Sequence, residues 1–84
     1  MYKNDIGYTV YETFEEFLDA DIIFMSEDDS FYYIKVKTEF YYDNGMWKVD
    51  KKTKEVSYLD YTSYIVNIES NTKQIDPDIF RRSL

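Results

Sequence analysis

The stretch Phe31-Tyr32-Tyr33-Ile34-Lys35-Val36-Lys37-Thr38-Glu39-Phe40-Tyr41-Tyr42-Asp43-Asn44-Gly45-Met46-Trp47-Lys48-Val49-Asp50 decides the fold. Its first half alternates. The even positions read Tyr32, Ile34, Val36, Thr38, Phe40 and Tyr42, and the odd positions Phe31, Tyr33, Lys35, Lys37, Glu39 and Tyr41. Successive side chains of a strand point to opposite faces, so residues 31–42 predict one long strand with a core face and a mixed face, bent near Thr38. Asn44-Gly45 is a hairpin signal, because a type I′ turn needs positive φ at both central residues. A two-residue loop there pairs Tyr42 with Trp47 and Phe40 with Val49. A second turn at residues 51–54 pairs Val49 with Val56 and Trp47 with Tyr58. Both sets bring apolar residues to the same face, and a slip of one residue would scramble both.

Working outward, residues 6–11 alternate weakly and predict a short strand. Thr13 reads as a helix N-cap, with Glu16 three residues on completing a capping box. Phe14, Phe17 and Leu18 form the apolar stripe of that helix, about two turns long, ending near Ala20 or Asp21. Residues 22–25 predict a buried strand and residues 26–30 a polar turn. Tyr64, Val66 and Ile68 alternate again and predict a further strand. Asp76-Pro77 places an N-cap before proline at the first helical position, which predicts a short helix or turn through Ile79 to Arg82. The sum is an α+β domain: an antiparallel meander of four or five strands with one short acidic amphipathic helix packed on one face. With two glycines and one proline in 84 residues, no linker divides the chain, and residues 1–84 read as a single small domain.

A chain of 84 residues without cysteine has no disulfide or thiolate metal site to support its core. Ten Tyr, six Phe and one Trp take that role, each large ring burying about 150–250 Å². So many tyrosines exceed what one core needs, and exposed tyrosine is enriched at interfaces, which raises the expectation of a homodimer. No apolar run approaches a membrane span and no basic-then-apolar leader opens the chain, so the expectation is a soluble cytoplasmic protein.

The net charge of −7 is unevenly spread. Residues 1–30 hold nine carboxylates and one lysine, while residues 31–84 hold eight carboxylates and nine basic side chains. Glu12, Glu15, Glu16 and Asp19 fall at i, i+3, i+4 and i+7, one face of an α-helix. Over seven residues such a helix rises about 10.5 Å, so its carboxylates advance about 3.5 Å apiece. Phosphates of one DNA strand advance about 3.4 Å. No lysine four residues on relieves the like-charge repulsion. The reading is an acidic patch of Glu12, Glu15, Glu16, Asp19, Asp21, Glu27, Asp28 and Asp29 that imitates a nucleic-acid backbone. Its partner is then a protein with a basic surface, such as a nucleic-acid-processing protein. The bland alternative is a solvated helix face that aids solubility.

A second candidate is the mixed face of the long strand, where Tyr33, Lys35, Lys37, Tyr41 and Lys48 interleave rings with ammonium groups. Single strands bind such surfaces by stacking bases on rings. The acidity of the whole chain opposes that use, so direct nucleic-acid binding is the alternative rather than the leading expectation. A structural homo-oligomer is the other alternative.

Catalysis is not expected. The chain has no His and no Cys, hence neither the commonest general base nor a thiol nucleophile, and no Gly-rich phosphate loop. No metal or cofactor is expected either. Glu27-Asp28-Asp29 lacks the alternating carboxylates and the glycine of a calcium loop, and Asp43-Asn44-Gly45 is accounted for by its turn.

The segment Trp47-Lys48-Val49-Asp50-Lys51-Lys52-Thr53-Lys54-Glu55-Val56 resembles the strand–turn–strand of small β-rich domains, PepSY-type modules among them, which often carry Gly where this chain has Lys54. The resemblance spans ten residues and implies a turn geometry, not an activity. In size, acidity and lack of catalytic residues the chain is also similar to small phage-encoded inhibitors of host defence such as anti-CRISPR proteins. That resemblance implies a non-catalytic inhibitor.

Overall fold

Val49 faces Val56 and Trp47 faces Tyr58 across two antiparallel strands, in the register the turn at residues 51–54 requires. Asp50 builds that turn. Its Oδ1 accepts the N–H groups of Lys52 at 2.8 Å and Thr53 at 2.9 Å, and its backbone N–H donates to the Glu55 carbonyl at 2.9 Å. Lys54 then takes a left-handed conformation, φ 64°, at the position where glycine is common. The computed structural model describes residues 1–38 and 45–83.

The strands are β1 (Tyr2–Lys3), β2 (Thr9–Val10), β3 (Ile22–Glu27), β4 (Phe31–Val36), β5 (Gly45–Asp50), β6 (Val56–Asp60) and β7 (Lys73–Gln74). Two helices, α1 (Tyr61–Asn67) and α2 (Pro77–Arg82), and two 3-10 helices, Phe14–Leu18 and Glu69–Asn71, complete the chain. The main sheet is antiparallel with order β6-β5-β4-β3-β7, and β1 pairs with β2 as a separate hairpin. This is the expected α+β class with five strands, although three of its parts differ from expectation.

The first difference is the β4–β5 register. Ile34 pairs with Trp47 and Tyr32 with Val49, eight residues from the pairing a tight Asn44-Gly45 turn would give. Gly45 opens β5, and the expected partners Phe40 and Tyr42 lie outside the described residues. An even shift leaves every face assignment intact, because the side-chain period is two. A turn preference is local and modest. It yields to burial of the apolar pairs Ile34–Trp47 and Tyr32–Val49 over the aromatic core.

The second difference lies in residues 61–68. They form a helix, not a strand. The Asp60 carboxylate caps it by accepting the Ser63 N–H at 3.1 Å. Tyr61, Tyr64 and Ile68 then recur at helical spacing, and all three pack into one apolar cluster on the sheet. The fifth strand comes instead from Lys73–Gln74, on the outer edge of β3.

The third difference is the acidic helix, which is 3-10 and not α. In a 3-10 helix side chains three apart eclipse. Phe14 and Phe17 therefore drop side by side into the core, Phe17 wholly buried. Thr13 makes no side-chain cap. Glu16 reaches back past it, and its carboxylate accepts the Glu12 N–H at 3.2 Å.

Two cores result, one on each face of the sheet. The first holds Tyr11, Phe14, Phe17, Met25, Ile34, Trp47, Val49 and Phe80. Tyr11 stacks on Phe17 at 4.7 Å between ring centroids, and Phe80 of α2 meets Tyr32 edge-on at 5.1 Å. The helix α2 starts at the expected Asp76 cap, whose carboxylate accepts the Asp78 N–H. Its Arg81 ties it to the 3-10 helix, donating from Nε to the Leu18 carbonyl at 3.1 Å and from a terminal nitrogen to the Ala20 carbonyl at 2.5 Å. The second core holds Tyr33, Met46 and Tyr64, under α1. Here polar atoms are buried and paired. Ser26 Oγ and the Tyr64 hydroxyl lie 2.5 Å apart, and the Tyr64 hydroxyl lies 3.2 Å from Thr72 Oγ1.

A bulge in β3 serves both cores. Ile22 faces Val36 while Phe24 faces Lys35, so Ile23 is one extra residue. Ile22 and Met25 can then both face the first core while Phe24 and Ser26 face the second. The extra residue accounts for the exposure of Ile23, expected to be buried.

Candidate functional site

The eight acidic residues read as one patch divide into two groups at opposite ends of β3. Asp21 precedes the strand and Asp28 follows it. The six residues of the strand lie between them, so seven residue steps set them about 20 Å apart.

At the far end, Asp28 is committed to the fold. Its Oδ1 accepts the N–H groups of Ser30 at 2.8 Å and Phe31 at 2.7 Å, and its Oδ2 accepts the Tyr33 hydroxyl at 2.7 Å. Burial opposes ionisation there. The Tyr33 hydroxyl, the two backbone N–H groups and Lys51 outweigh it and hold the carboxyl below its ordinary range. Tyr33 responds in the opposite sense, its hydroxyl pushed far above the ordinary tyrosine range by burial and by the Asp28 carboxylate. Glu27 is ion-paired to the Lys51 ammonium at 3.2 Å. Lys73 lines the same depression as Glu27, Asp28 and Asp29, so this end mixes both signs of charge.

At the near end, Glu16 is engaged by the Met1 ammonium at 2.6 Å. That bond, with the Glu12 N–H and Thr13, lowers its carboxyl pKa against the opposing effect of burial. Glu12, Glu15, Asp19 and Asp21 are exposed. Among the described residues no cation lies within ion-pair distance of these four. The 3-10 geometry rotates Glu15 and Glu16 to different sides, since each residue advances about 120°. The single α-helical row of carboxylates at phosphate spacing is therefore not formed. What remains is an acidic ridge along the 3-10 helix and its flanks, with four exposed carboxylates that have no cation partner among the described residues. Phe14 and Phe17 anchor it from below and Arg81 binds its last carbonyls.

The Tyr/Lys face is also placed differently from its reading as a stacking platform. Tyr33 is 3% exposed beneath α1, with Tyr64 5.4 Å away, and presents no ring to solvent. Lys35 lays its ammonium 4.7 Å over Tyr61 and donates to the Gly45 carbonyl at 3.3 Å. Lys48 lies 4.7 Å over Phe31. The interleaving of rings and lysines is thus satisfied inside the chain, as cation–π contacts. Lys37 stays exposed, and Tyr41 lies outside the described residues.

A cleft of about 410 Å³ was not foreseen. It lies between the β1–β2 hairpin and the end of β4, β5 and β6, over Val36, Trp47 and Tyr58. The hairpin wall is shaped by Asn4, whose Oδ1 accepts the N–H groups of Ile6 and Tyr8 at 3.0 Å each, and by Gly7 at φ 91°. Asn4 and Gly7, three apart, were the available signal for a turn there. The cleft itself depends on how the hairpin docks, which no local pattern encodes.

Among the described residues no group of three or more carboxylates is arranged to hold a metal ion, and no helix is long and apolar enough to cross a membrane. Comparison of the chain with protein-family models, curated proteins and solved structures finds no match.

Proposed function

We propose that the chain is a non-catalytic binding module whose acidic ridge occupies the basic, nucleic-acid-binding surface of a partner protein. The observation that carries the reading is the contrast among its acids. Glu16, Glu27 and Asp28 have partners within the chain, whereas Glu12, Glu15, Asp19 and Asp21 stand exposed along the 3-10 helix and its flanks with no cation in ion-pair distance among the described residues. Four like charges close together are unfavourable in the free protein, and a cationic surface relieves that repulsion on binding. The ridge is fixed by buried Phe14 and Phe17, so little conformational freedom is lost when it docks. Complementary charge also speeds association, which suits an inhibitor that competes with nucleic acid. An inhibitor of this kind, encoded by a phage or other mobile element, fits the small size and the lack of nucleophiles and general bases of the usual kinds.

The test is affinity capture from a bacterial lysate at low and moderate salt, with wild type and with the Glu12→Gln, Glu15→Gln, Asp19→Asn, Asp21→Asn variant. The expected result is a nucleic-acid-binding protein captured by wild type, released by added duplex DNA and lost in the folded variant. Equal capture by both forms, or a captured protein that DNA does not displace, overturns the reading.

A further inference from the structure

We infer that Arg81 is the positioning residue of the acidic ridge: it fixes the backbone at Asp19 and Asp21 while leaving their carboxylates unpaired. The last carbonyls of a helix have no partner within it. At the end of the 3-10 helix that partner is Arg81 of α2. Its Nε donates to the Leu18 carbonyl at 3.1 Å and a terminal nitrogen donates to the Ala20 carbonyl at 2.5 Å. These two carbonyls belong to the peptide groups that lead into Asp19 and Asp21. A peptide group is planar, so a held carbonyl also fixes the nitrogen and Cα that follow it. The guanidinium is a planar fork as well, and one side chain therefore sets both peptide planes together. The same turn is tied from two other sides. The Asp19 N–H donates to the Phe17 carbonyl, and the Asp21 carbonyl accepts the Lys37 N–H at 2.8 Å.

The use made of this cation is the telling feature. Among the described residues the carboxylate that pairs with Arg81 is Asp78, at 3.4 Å within α2 itself. Asp19 and Asp21 are exposed and outside ion-pair distance of it. The core holds α2 in place beneath the ridge. Phe80, 4% exposed, meets Phe14 edge-on at 5.7 Å and Tyr32 at 5.1 Å. An arginine that served to neutralise these acids would pair with them. One that takes their neighbouring carbonyls organises the two carboxylates and leaves their charge for a cationic partner. Its consequence for binding rests on the reading of the ridge proposed above.

The experiment compares the full chain with Arg81→Gln by NMR relaxation and by titration with deca-arginine, a polycation that stands in for a basic protein surface. The substitution has two effects of opposite sign. Removing a cation makes the ridge more negative, which by charge alone tightens binding. Releasing the two peptide groups adds an ordering cost at Asp19 and Asp21, which weakens it. Positioning predicts the second outcome. Amide order parameters at Asp19 and Asp21 should fall from about 0.85 to below about 0.6, with Glu15 unchanged. Affinity for deca-arginine should fall by roughly threefold to tenfold. Urea unfolding checks that the variant is folded. If it is not, Arg81→Lys takes its place, since it keeps the charge and loses the fork, and the same losses are expected. Unchanged order at Asp19 and Asp21, or tighter binding, overturns the inference and spares the ridge. A wild-type chain that does not bind deca-arginine, or binds no better than the variant with Glu12, Glu15, Asp19 and Asp21 neutralised, overturns both.

Discussion

The two faces of the sheet are both buried, but by different chemistry. The first face is an aromatic and aliphatic core with Phe17, Met25, Ile34 and Val49 fully buried. The second is built on tyrosines whose hydroxyls are satisfied inside the chain. Tyr64 joins Ser26 and Thr72, and Tyr33 joins Asp28. The first face draws its stability from removal of apolar area from water. The second gains from ring burial too, but every hydroxyl it buries must keep a partner. A small chain without disulfides thus extends its core across both faces, using tyrosine where a sheet of this size would otherwise present one face to water.

The sharpest way to break the contrast is Phe17→Ala. Its ring is fully buried and stacked on Tyr11, so its loss should cost about 3–5 kcal/mol. That is comparable with the whole stability expected of 84 residues, roughly 4–12 kcal/mol. Urea unfolding monitored by Trp47 fluorescence should show a chain largely unfolded or close to it. A loss below about 1 kcal/mol would mean that the first face is not the principal core.

The matching test on the second face is Tyr64→Phe. It keeps the ring and removes one oxygen, leaving fully buried Ser26 without its partner. A destabilisation of about 1–3 kcal/mol is expected. Adding Ser26→Ala should restore part of it, because the orphaned hydroxyl is then gone and the two losses do not add. Strict additivity in the double-mutant cycle would show that the 2.5 Å contact contributes no coupling.

These two faces were not equally legible. The first could be read because β4 alternates Tyr32, Ile34 and Val36 against Trp47 and Val49, and an even register shift cannot undo that assignment. The second was hidden by its composition. Tyr33, Lys35 and Lys48 look like a solvated face, and only the lid of α1 reveals that Tyr33 is buried and that the lysines lie over rings. The lid was misread because Tyr64, Val66 and Ile68 also fit a period of two. The Asp60 cap and the spacing of Tyr61, Tyr64 and Ile68 were the competing signal, and they prevailed. The acids suffered a related error. Residue spacing placed Glu12, Glu15, Glu16 and Asp19 on one α-helical row, but the two phenylalanines needed eclipsed positions and drew the segment into a 3-10 helix. Local pattern gave the strands, while the faces they bury depend on which distant segments cover them.

The polar face carries a pH signature at both ends of the scale, and Tyr11 of the first face, its hydroxyl raised by burial and by Glu16 and Asp21, shares the alkaline one. The Asp28 carboxyl is held below its ordinary range in the folded chain, so its contribution is present above the unfolded value, near 3.9, and is lost as pH falls through the lowered folded value. Tyr33 works at the other end. Its folded pKa is raised, so its contribution is intact below the unfolded value, near 10, and declines as pH rises beyond it. Asp28→Asn should flatten the acid limb of stability against pH. An unchanged acid limb would place the acid sensitivity elsewhere, Glu16 and Asp50 being the other carboxyls with lowered values among the described residues.

The smallest effect separates local strain from packing at the edge of the first face. Lys54 sits at φ 64°, where a side chain costs about 1–2 kcal/mol that glycine avoids. Against this, glycine loses more conformational freedom on folding, by roughly 0.5–1 kcal/mol. Lys54 also places its ammonium 5.0 Å over Phe14 and donates to the Lys51 carbonyl at 2.9 Å, contacts that Lys54→Gly removes. Both are exposed at the lysine end and contribute little. The balance favours glycine by about 0.5 kcal/mol, visible as a small rise in the urea midpoint at constant slope. Lys54→Ala separates the terms, since it removes the same contacts but keeps the backbone strain. If glycine raises the midpoint and alanine lowers it, the turn geometry governs this position. If both lower it equally, the lysine's hold on the Phe14 ring is the stronger influence, and the first face reaches further out than its buried residues indicate.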